Sequence, residues 1–429
     1  MKNNIDKNNV RILANNCCIS NDTFKTGLNN NDLIIGPSGA GKTRNYVKPN
    51  IMQCNESIIV ADTKGSLYYE TKDVLMKNGY RVMLIDFNHL PASTCGYNPL
   101  DYIRINKNTG KYVEQDIITI ANALVSDISQ KEPYWDNSAI QYLVCLIAFV
   151  MEALPKEEHT LEYVLKVFHE MRMPHFDELM YQLEDENPDS IAVRKYRTIQ
   201  QNKSADKTHS SIMTVLSTHL ERLSFNEIFD IFKIKNRVDI KSLGLKKTAL
   251  FVSVSDTDSS MNTLVNLFYT QVLQKLCDYA DNSCENYRLP APVRIILDDF
   301  AANVFIPDFD KIISIIRSRN IAVSVILQSI SQLEGLYGHS KAMTIINNCD
   351  NCLYLGGQDV DTARYIGTKI NLTPTSVLNL PLDKAYLFTR GSKPKTVEKY
   401  DIKNHNMYRQ LNGEFELTKT EIKLADVSL

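Results

Sequence analysis

The sequence predicts an α/β fold: a mainly parallel sheet with helices on both faces, interrupted by an inserted all-α segment. Three observations carry this. The octapeptide GPSGAGKT, residues 36–43, sits between a short apolar run (Leu33, Ile34, Ile35) and a stretch able to form a helix. Strand and helix patterns alternate from 31 to 87, and again from 248 onward. Between about 103 and 245 strand signals almost vanish and helical apolar spacing takes over.

Residues 1–30 are polar and rich in Asn, which suggests a loose arm or an edge strand. After the octapeptide, 43–53 can form a helix whose N-terminus favours an anion. Next come a buried strand at 57–62 (SIIVAD), a helix at 67–78 stopped by Gly79, and a strand at 80–87 (YRVMLIDF). A β-α-β-α-β order of this kind favours parallel pairing with right-handed crossovers. Helical spacing then marks 117–128, 136–154, 161–171 and 210–222, with Pro155 and Pro174 as punctuation. The apolar run 142–151 is too short to span a bilayer and reads as a buried helix. Strands return at 248–255, 293–298, 322–328 and 352–355, with helices expected at 260–279 and 308–317. A hairpin closes the pattern, 385–390 with 396–400, turning at Gly391-Ser392. The expected domains are an arm at 1–30, a nucleotide-binding domain from 31–102 and 246–429, and an all-α insertion at 103–245.

The bulk numbers fit an ordinary globular chain of 429 residues, 44% hydrophobic and 23% charged. A formal net charge of −2 excludes a uniformly basic DNA-coating protein, while leaving room for a local basic loop or channel. The nine cysteines have no framework spacing and read as reduced thiols. The single C-x-x-C at Cys349 and Cys352 has no second pair or histidine cluster nearby, so zinc is not expected. The polar start shows no signal peptide, and no membrane anchor of the chain's own is expected.

The octapeptide fits the phosphate-binding loop G-x-x-x-x-G-K-[ST] without mismatch. Gly36, Gly39, Ala40 and Gly41 would turn successive backbone N–H groups toward phosphate oxygens. Lys42 would reach the β- and γ-phosphates, and Thr43 would place its hydroxyl on Mg²⁺. Hydrolysis also needs a metal-holding carboxylate and a group that orients water. The strand at 293–297 ends in Asp298 and Asp299, which suit those two tasks. Gln328, at the end of the next strand, could sense the γ-phosphate, or be a polar strand end without a role. Arg317 and Arg319 could neutralise transition-state charge, commonly from a neighbouring subunit, or could serve as a solvated helix end.

The run 295–338, IILDDFAANVFIPDFDKIISIIRSRNIAVSVILQSISQLEGLYG, resembles the core of the type IV secretion coupling proteins, the TraG/TraD-like conjugative DNA-transfer ATPases. GPSGAGKTRNYVKPN, VADTKGSLY, GYNPLDYI, EPYWDNSA, KKTALFVSVSDTDSSMNTLVNLFYTQ and NNCDNCLYLGGQDVDTARYIG agree in order, so the likeness spans about 36–390. It implies a RecA-like motor forming a homo-hexamer, with ATP and Mg²⁺ as cofactors and an inserted all-α domain. It implies as partners relaxase-bound single-stranded DNA, secreted protein substrates and the type IV secretion channel, at the cytoplasmic side of a membrane to which a partner recruits it. By position it makes Lys42 the phosphate lysine, Thr43 and Asp298 the metal pair, Gln328 the sensor, and Arg317 or Arg319 the arginine finger. Family members usually carry Glu where this chain has Asp299, which reaches roughly 1.5 Å less far. They also usually begin with transmembrane helices. The competing functional reading is an ATP-switched receptor that docks protein substrates with little motor activity. A small-molecule kinase fits poorly with the long interval from Thr43 to Asp298. DNA contacts cannot be assigned to the loops with Lys107 and Lys111 or Lys203 and Lys207, which read equally as solvated.

Overall fold

The structure, a computed structural model, describes residues 9–125, 133–203, 205–255, 257–300 and 304–411. Parts of the sequence reading therefore fall outside the described residues: the start of the 1–30 arm, the end of the 117–128 helix, Glu132, Asp256, 301–303 and everything after 411.

The chain divides into two compact units. The first, Met1–Asn88 with Asp239–Thr257 and Leu276–Leu429, contains the main sheet. It begins with a hairpin, β1 (Val10–Ala14) and β2 (Cys17–Ser20), forming a sheet of its own. The polar composition of 1–30 conceals this element, because every residue of β1 is buried. Nine further strands follow in chain order: β3 (Asp32–Ile35), β4 (Ser57–Asp62), β5 (Arg81–Asp86), β6 (Thr248–Ser253), β7 (Val293–Leu297), β8 (Ile321–Leu327), β9 (Asn351–Tyr354), β10 (Lys384–Thr389) and β11 (Lys395–Glu398). Their order across the sheet is β11-β10-β9-β3-β8-β7-β4-β6-β5. The seven from β9 to β5 are parallel, while β10 and β11 add an antiparallel edge. The α/β expectation holds, and the parallel strands are the near-continuous apolar runs that a sheet covered on both faces requires.

The helix expected at 43–53 is split. Thr43–Val47 is a π-turn and α1 (Lys48–Met52) follows it. Pro49 explains this: it has no N–H for the Asn45 carbonyl, and its ring would crowd that carbonyl in a regular α-helix. The Lys48 N–H reaches back to the Thr43 carbonyl instead. The helix expected at 67–78 is α2 (Ser66–Lys77).

Beneath the apolar core of this unit lies a buried ionic network that the sequence reading missed. Arg11 Nε donates to Asp32 Oδ2 at 2.8 Å, and Arg294 Nε to Glu56 Oε2 at 2.5 Å. The Tyr46 hydroxyl, on the π-turn, donates to Asp32 Oδ2 at 2.6 Å and lies 2.8 Å from Ser324 Oγ. Asn351 Nδ2 donates to Asp32 Oδ1 at 2.9 Å. Burial pushes the Asp32 carboxyl up, but Arg11 and Arg294 outweigh it and hold the group below the usual carboxylate range. The network joins the first hairpin, the helix after the phosphate loop and strands β3, β7, β8 and β9.

The second unit is His89–Val238 with Asp258–Lys275. Its long helix Pro133–Ala153 buries all of residues 142–151, as the apolar run suggests. Glu114–Leu124, Leu161–Glu170 and Asp206–Glu221 match three other helical readings. Pro174–Glu186, Ile191–Lys203 and Asn226–Lys233 are helices not read from the sequence. The second of these is so polar, with buried residues only at Ile191, Ala192, Val193, Tyr196 and Ile199, that its apolar stripe is thin. Among the described residues, no helix is long and apolar enough to cross a membrane.

Candidate functional site

Parallel sheets gather ligand sites at the carboxyl ends of their strands, near a reversal of strand order. Strand β3 ends there, between β8 and β9, and passes straight into GPSGAGKT. The Gly36 N–H donates to the Leu327 carbonyl at the end of β8, which anchors the start of the loop. A Cβ on Gly36 would lie 2.9 Å from the Ala40 Cβ and 3.0 Å from the Leu355 Cβ, so only glycine fits the fold of the loop onto β9. Gly41 has φ +94° and lies against the Asn45 side chain, where a Cβ would meet Nδ2 at 2.3 Å.

Lys42 is 6% exposed. Its Nζ donates to the carbonyls of Gly36 at 2.9 Å and Pro37 at 3.4 Å. It also lies 3.2 Å from Asp299 Oδ1. Thr43 Oγ1 donates to Asp298 Oδ2 at 3.0 Å. The loop and the acidic strand end, some 255 residues apart in sequence, thus meet in one cluster of Lys42, Thr43, Asp298 and Asp299. Asp299 has φ 50°, a left-handed conformation that aspartate tolerates better than most residues. Burial and the neighbouring Asp299 charge push the Asp298 carboxyl up to about 6, with the Thr43 hydroxyl pulling the other way. Asp298 Oδ1 is buried without a hydrogen-bond partner.

That unpartnered oxygen beside a threonine hydroxyl suits a hard divalent cation of the Mg²⁺ class, which takes one or two protein oxygens and completes its shell with phosphate and water. No cluster of three or more His, Cys, Asp or Glu that could hold a metal occurs among the described residues, so a purely protein-built cage is not what this site offers.

Gln328 follows β8 immediately, next to the residue that anchors Gly36, and is exposed at the mouth of the site. Arg317 and Arg319 are not brought to it. Both precede β8, at the opposite edge of the sheet, roughly 20 Å away by the length of a seven-residue strand. Arg319 is clamped by Asp281, with Nε and Nη2 donating at 2.8 and 2.7 Å. Arg317 is exposed and makes only a 3.5 Å contact to the Thr23 carbonyl.

The structure adds one acid that sequence reasoning passed over. Ala61 pairs with Leu297, so β4 and β7 end side by side and Asp62 stands next to Asp298 in register. A signal was available, since SIIVAD ends a buried strand in an acid just as VRIILD does. Asp62 accepts the Tyr68 N–H at 3.1 Å near the start of α2, and burial pushes its carboxyl up to about 6. Because the folded value exceeds the unfolded one near 3.8, ionising Asp62 costs stability, fully above about pH 6 and not at all below about pH 4. Asp62→Asn is expected to stabilise the protein by about 1–3 kcal/mol at pH 7.5 and by nothing at pH 4. Urea unfolding at both pH values checks this, and an equal effect at both would refute it.

Residues 3–371 match the profile of the family described as "Type IV secretory system Conjugative DNA transfer". The chain belongs to that family. Within the family's curated relatives, it is 21% identical over 339 residues to protein VirD4 of Rhizobium rhizogenes, and equally so to protein VirD4 of Agrobacterium fabrum. The match takes in 79% of this chain and 49% of each relative, so the chain spans about half the length of the curated relatives it matches. Among solved structures, the unbound bacterial conjugative coupling protein TrwBdeltaN70 superposes with a TM-score of 0.66 at 16% identity, covering 90% of this chain and 88% of that one. TrwB in complex with ADP and Mg²⁺ gives 0.63 at 16% identity, covering 86% and 85%. VirB4 of Thermoanaerobacter pseudethanolicus gives 0.54 at 15% identity, covering 91% and 96%. At these identities the likeness is one of fold, and it makes the first unit a RecA-like nucleotide-binding sheet.

Proposed function

We propose that this family member is an ATP-driven motor that delivers relaxase-bound single-stranded DNA to a type IV secretion channel. The observation that carries the reading is the joining of Thr43 to Asp298 and of Lys42 to Asp299 in one cluster at the end of the central strands. The backbone of 36–41 would cradle the phosphates of ATP, with Lys42 neutralising the β- and γ-phosphates. Thr43 and Asp298 would hold Mg²⁺, which when bound supplies charge neutralisation along the phosphate chain. Asp299 would take the proton of the attacking water, and Gln328, at the mouth of the site, would register the γ-phosphate. The structure of TrwB with ADP and Mg²⁺ supports this assignment of cofactors.

The position of the arginines supports a ring. They lie far from their own chain's phosphate loop, so either would act on the site of a neighbouring copy in a homo-hexamer. Arg317 is the better candidate, since Arg319 would first have to leave a bidentate aspartate. The helical domain, read from the sequence as 103–245, would dock the relaxase or a secreted protein. Recruitment to the inner face of the membrane would come through a partner.

The decisive experiment measures ATP hydrolysis with and without single-stranded DNA at low salt, together with particle size with and without ATP. Stimulation by DNA and growth to a hexamer are expected. A rate that ignores DNA would remove the motor and leave an ATP-switched receptor for protein substrates. Aspartate in place of the longer glutamate, already engaged with Lys42, is the observation that favours that second reading. Asp299→Asn is expected to lower kcat by about 10²-fold or more with KM for ATP little changed, whereas Asp299→Glu keeps activity. An undiminished rate in Asp299→Asn would mean that another group orients the water.

A further inference from the structure

We propose that the hairpin β10–β11 and the loops flanking it form a pocket for the purine and ribose of the nucleotide. The proposal rests on the nucleotide reading above and extends it to residues that reading leaves idle.

The direction of the ligand is set by the cluster already described. The metal end of a triphosphate is fixed at Thr43 and Asp298, on the β7 side of the loop. The nucleoside must then leave on the other side, across Arg44 and Asn45 and over β9, β10 and β11. A cavity of about 530 Å³ lies there, bounded by the phosphate loop, by the end of β9 and by the segments on either side of the hairpin. The volume suits a nucleoside-sized ligand.

Its walls have the matching chemistry. Leu382 is 92% exposed, an unusual setting for a leucine, and lines the cavity with Leu378 and Leu380. Together they offer an apolar face to a flat ring. Asp383 and Asp401 line the same cavity and can accept hydrogen bonds from ribose hydroxyls. Lys399 Nζ donates to the Ala40 carbonyl at 3.1 Å, which ties the end of the hairpin to the phosphate loop itself. The two halves of the pocket are therefore held in a fixed relation before a ligand enters.

The test compares binding of Mg²⁺-ATP with binding of Mg²⁺-tripolyphosphate, which has the phosphates but no nucleoside, by calorimetry on the whole chain. The parent is expected to bind ATP at least about tenfold more tightly than tripolyphosphate. Leu382→Ser should shrink that ratio about fivefold or more without changing tripolyphosphate affinity, and Leu382→Met should retain it. Equal affinities in the parent, or an unchanged ratio in Leu382→Ser, would overturn the pocket while leaving the phosphate loop standing. If Leu382→Ser alters particle size but not the ratio, the leucine is a contact between copies and the proposal falls. If tripolyphosphate does not bind at all, the phosphate-loop reading fails and takes the pocket with it.

Discussion

Lys42→Ala is expected to abolish ATP hydrolysis, with kcat/KM falling by about 10³-fold or more. Two separate losses combine. The substitution removes the cation that would face the β- and γ-phosphates. It also removes the donor that holds the carbonyls of Gly36 and Pro37 on the inside of the loop, and the partner of Asp299. Lys42→Arg should therefore fail nearly as badly, because a planar guanidinium cannot replace a point charge with three donors in this enclosed position. Steady-state hydrolysis and nucleotide titration check both variants, with thermal unfolding to show that the fold survives. Appreciable turnover in Lys42→Ala would mean that this loop is not the catalytic one.

Arg294→Met is expected to give the largest loss of stability of any single change outside the site, about 3–5 kcal/mol, with a fall in Tm on the order of 10 °C. The side chain is 1% exposed in the middle of β7 and is bound to Glu56, itself buried, while also lying 3.7 Å from Asp32. Removing it leaves those carboxylates without compensation in a setting that excludes water. The pair Arg294→Met with Glu56→Gln should recover part of the loss, because the penalty comes from the stranded charge and not from the missing contact. Denaturant unfolding of the single and double variants measures this. A single variant as stable as the parent would show that water reaches the network.

The strands were legible because they obey one rule: SIIVAD, RVMLID, VRIIL and IAVSVIL are each apolar on both faces, as a covered parallel sheet demands. The loop and its acids were legible because phosphate chemistry restricts both residue type and spacing. What escaped was whatever depends on pairing across the sheet. Arg11 and Arg294 look like surface residues in sequence, and only the convergence of β1, β3, β4 and β7 makes them buried partners. Asp62 needed the register of β4 against β7 to become a neighbour of Asp298. The break in the helix after Thr43 was visible in Pro49, but the π-turn that accommodates it is a geometric solution that no periodicity reports. Polar helices such as Ile191–Lys203 fold on a narrow apolar stripe that a search for amphipathic spacing overlooks.

The order of the strands also has a bearing on how the protein is made. β3 carries the phosphate loop and is complete by residue 35, yet both of its neighbours, β8 and β9, lie beyond residue 320. At a synthesis rate of about 5–20 residues per second, the ribosome takes about 15–60 s to supply them. Throughout that interval the loop has no sheet to hold its shape, and an apolar strand has no partner. Contacts of such long sequence separation close slowly, so the nascent chain is exposed to aggregation for most of its synthesis. The site's first residues emerge early and become a site only when nearly the whole chain has followed them.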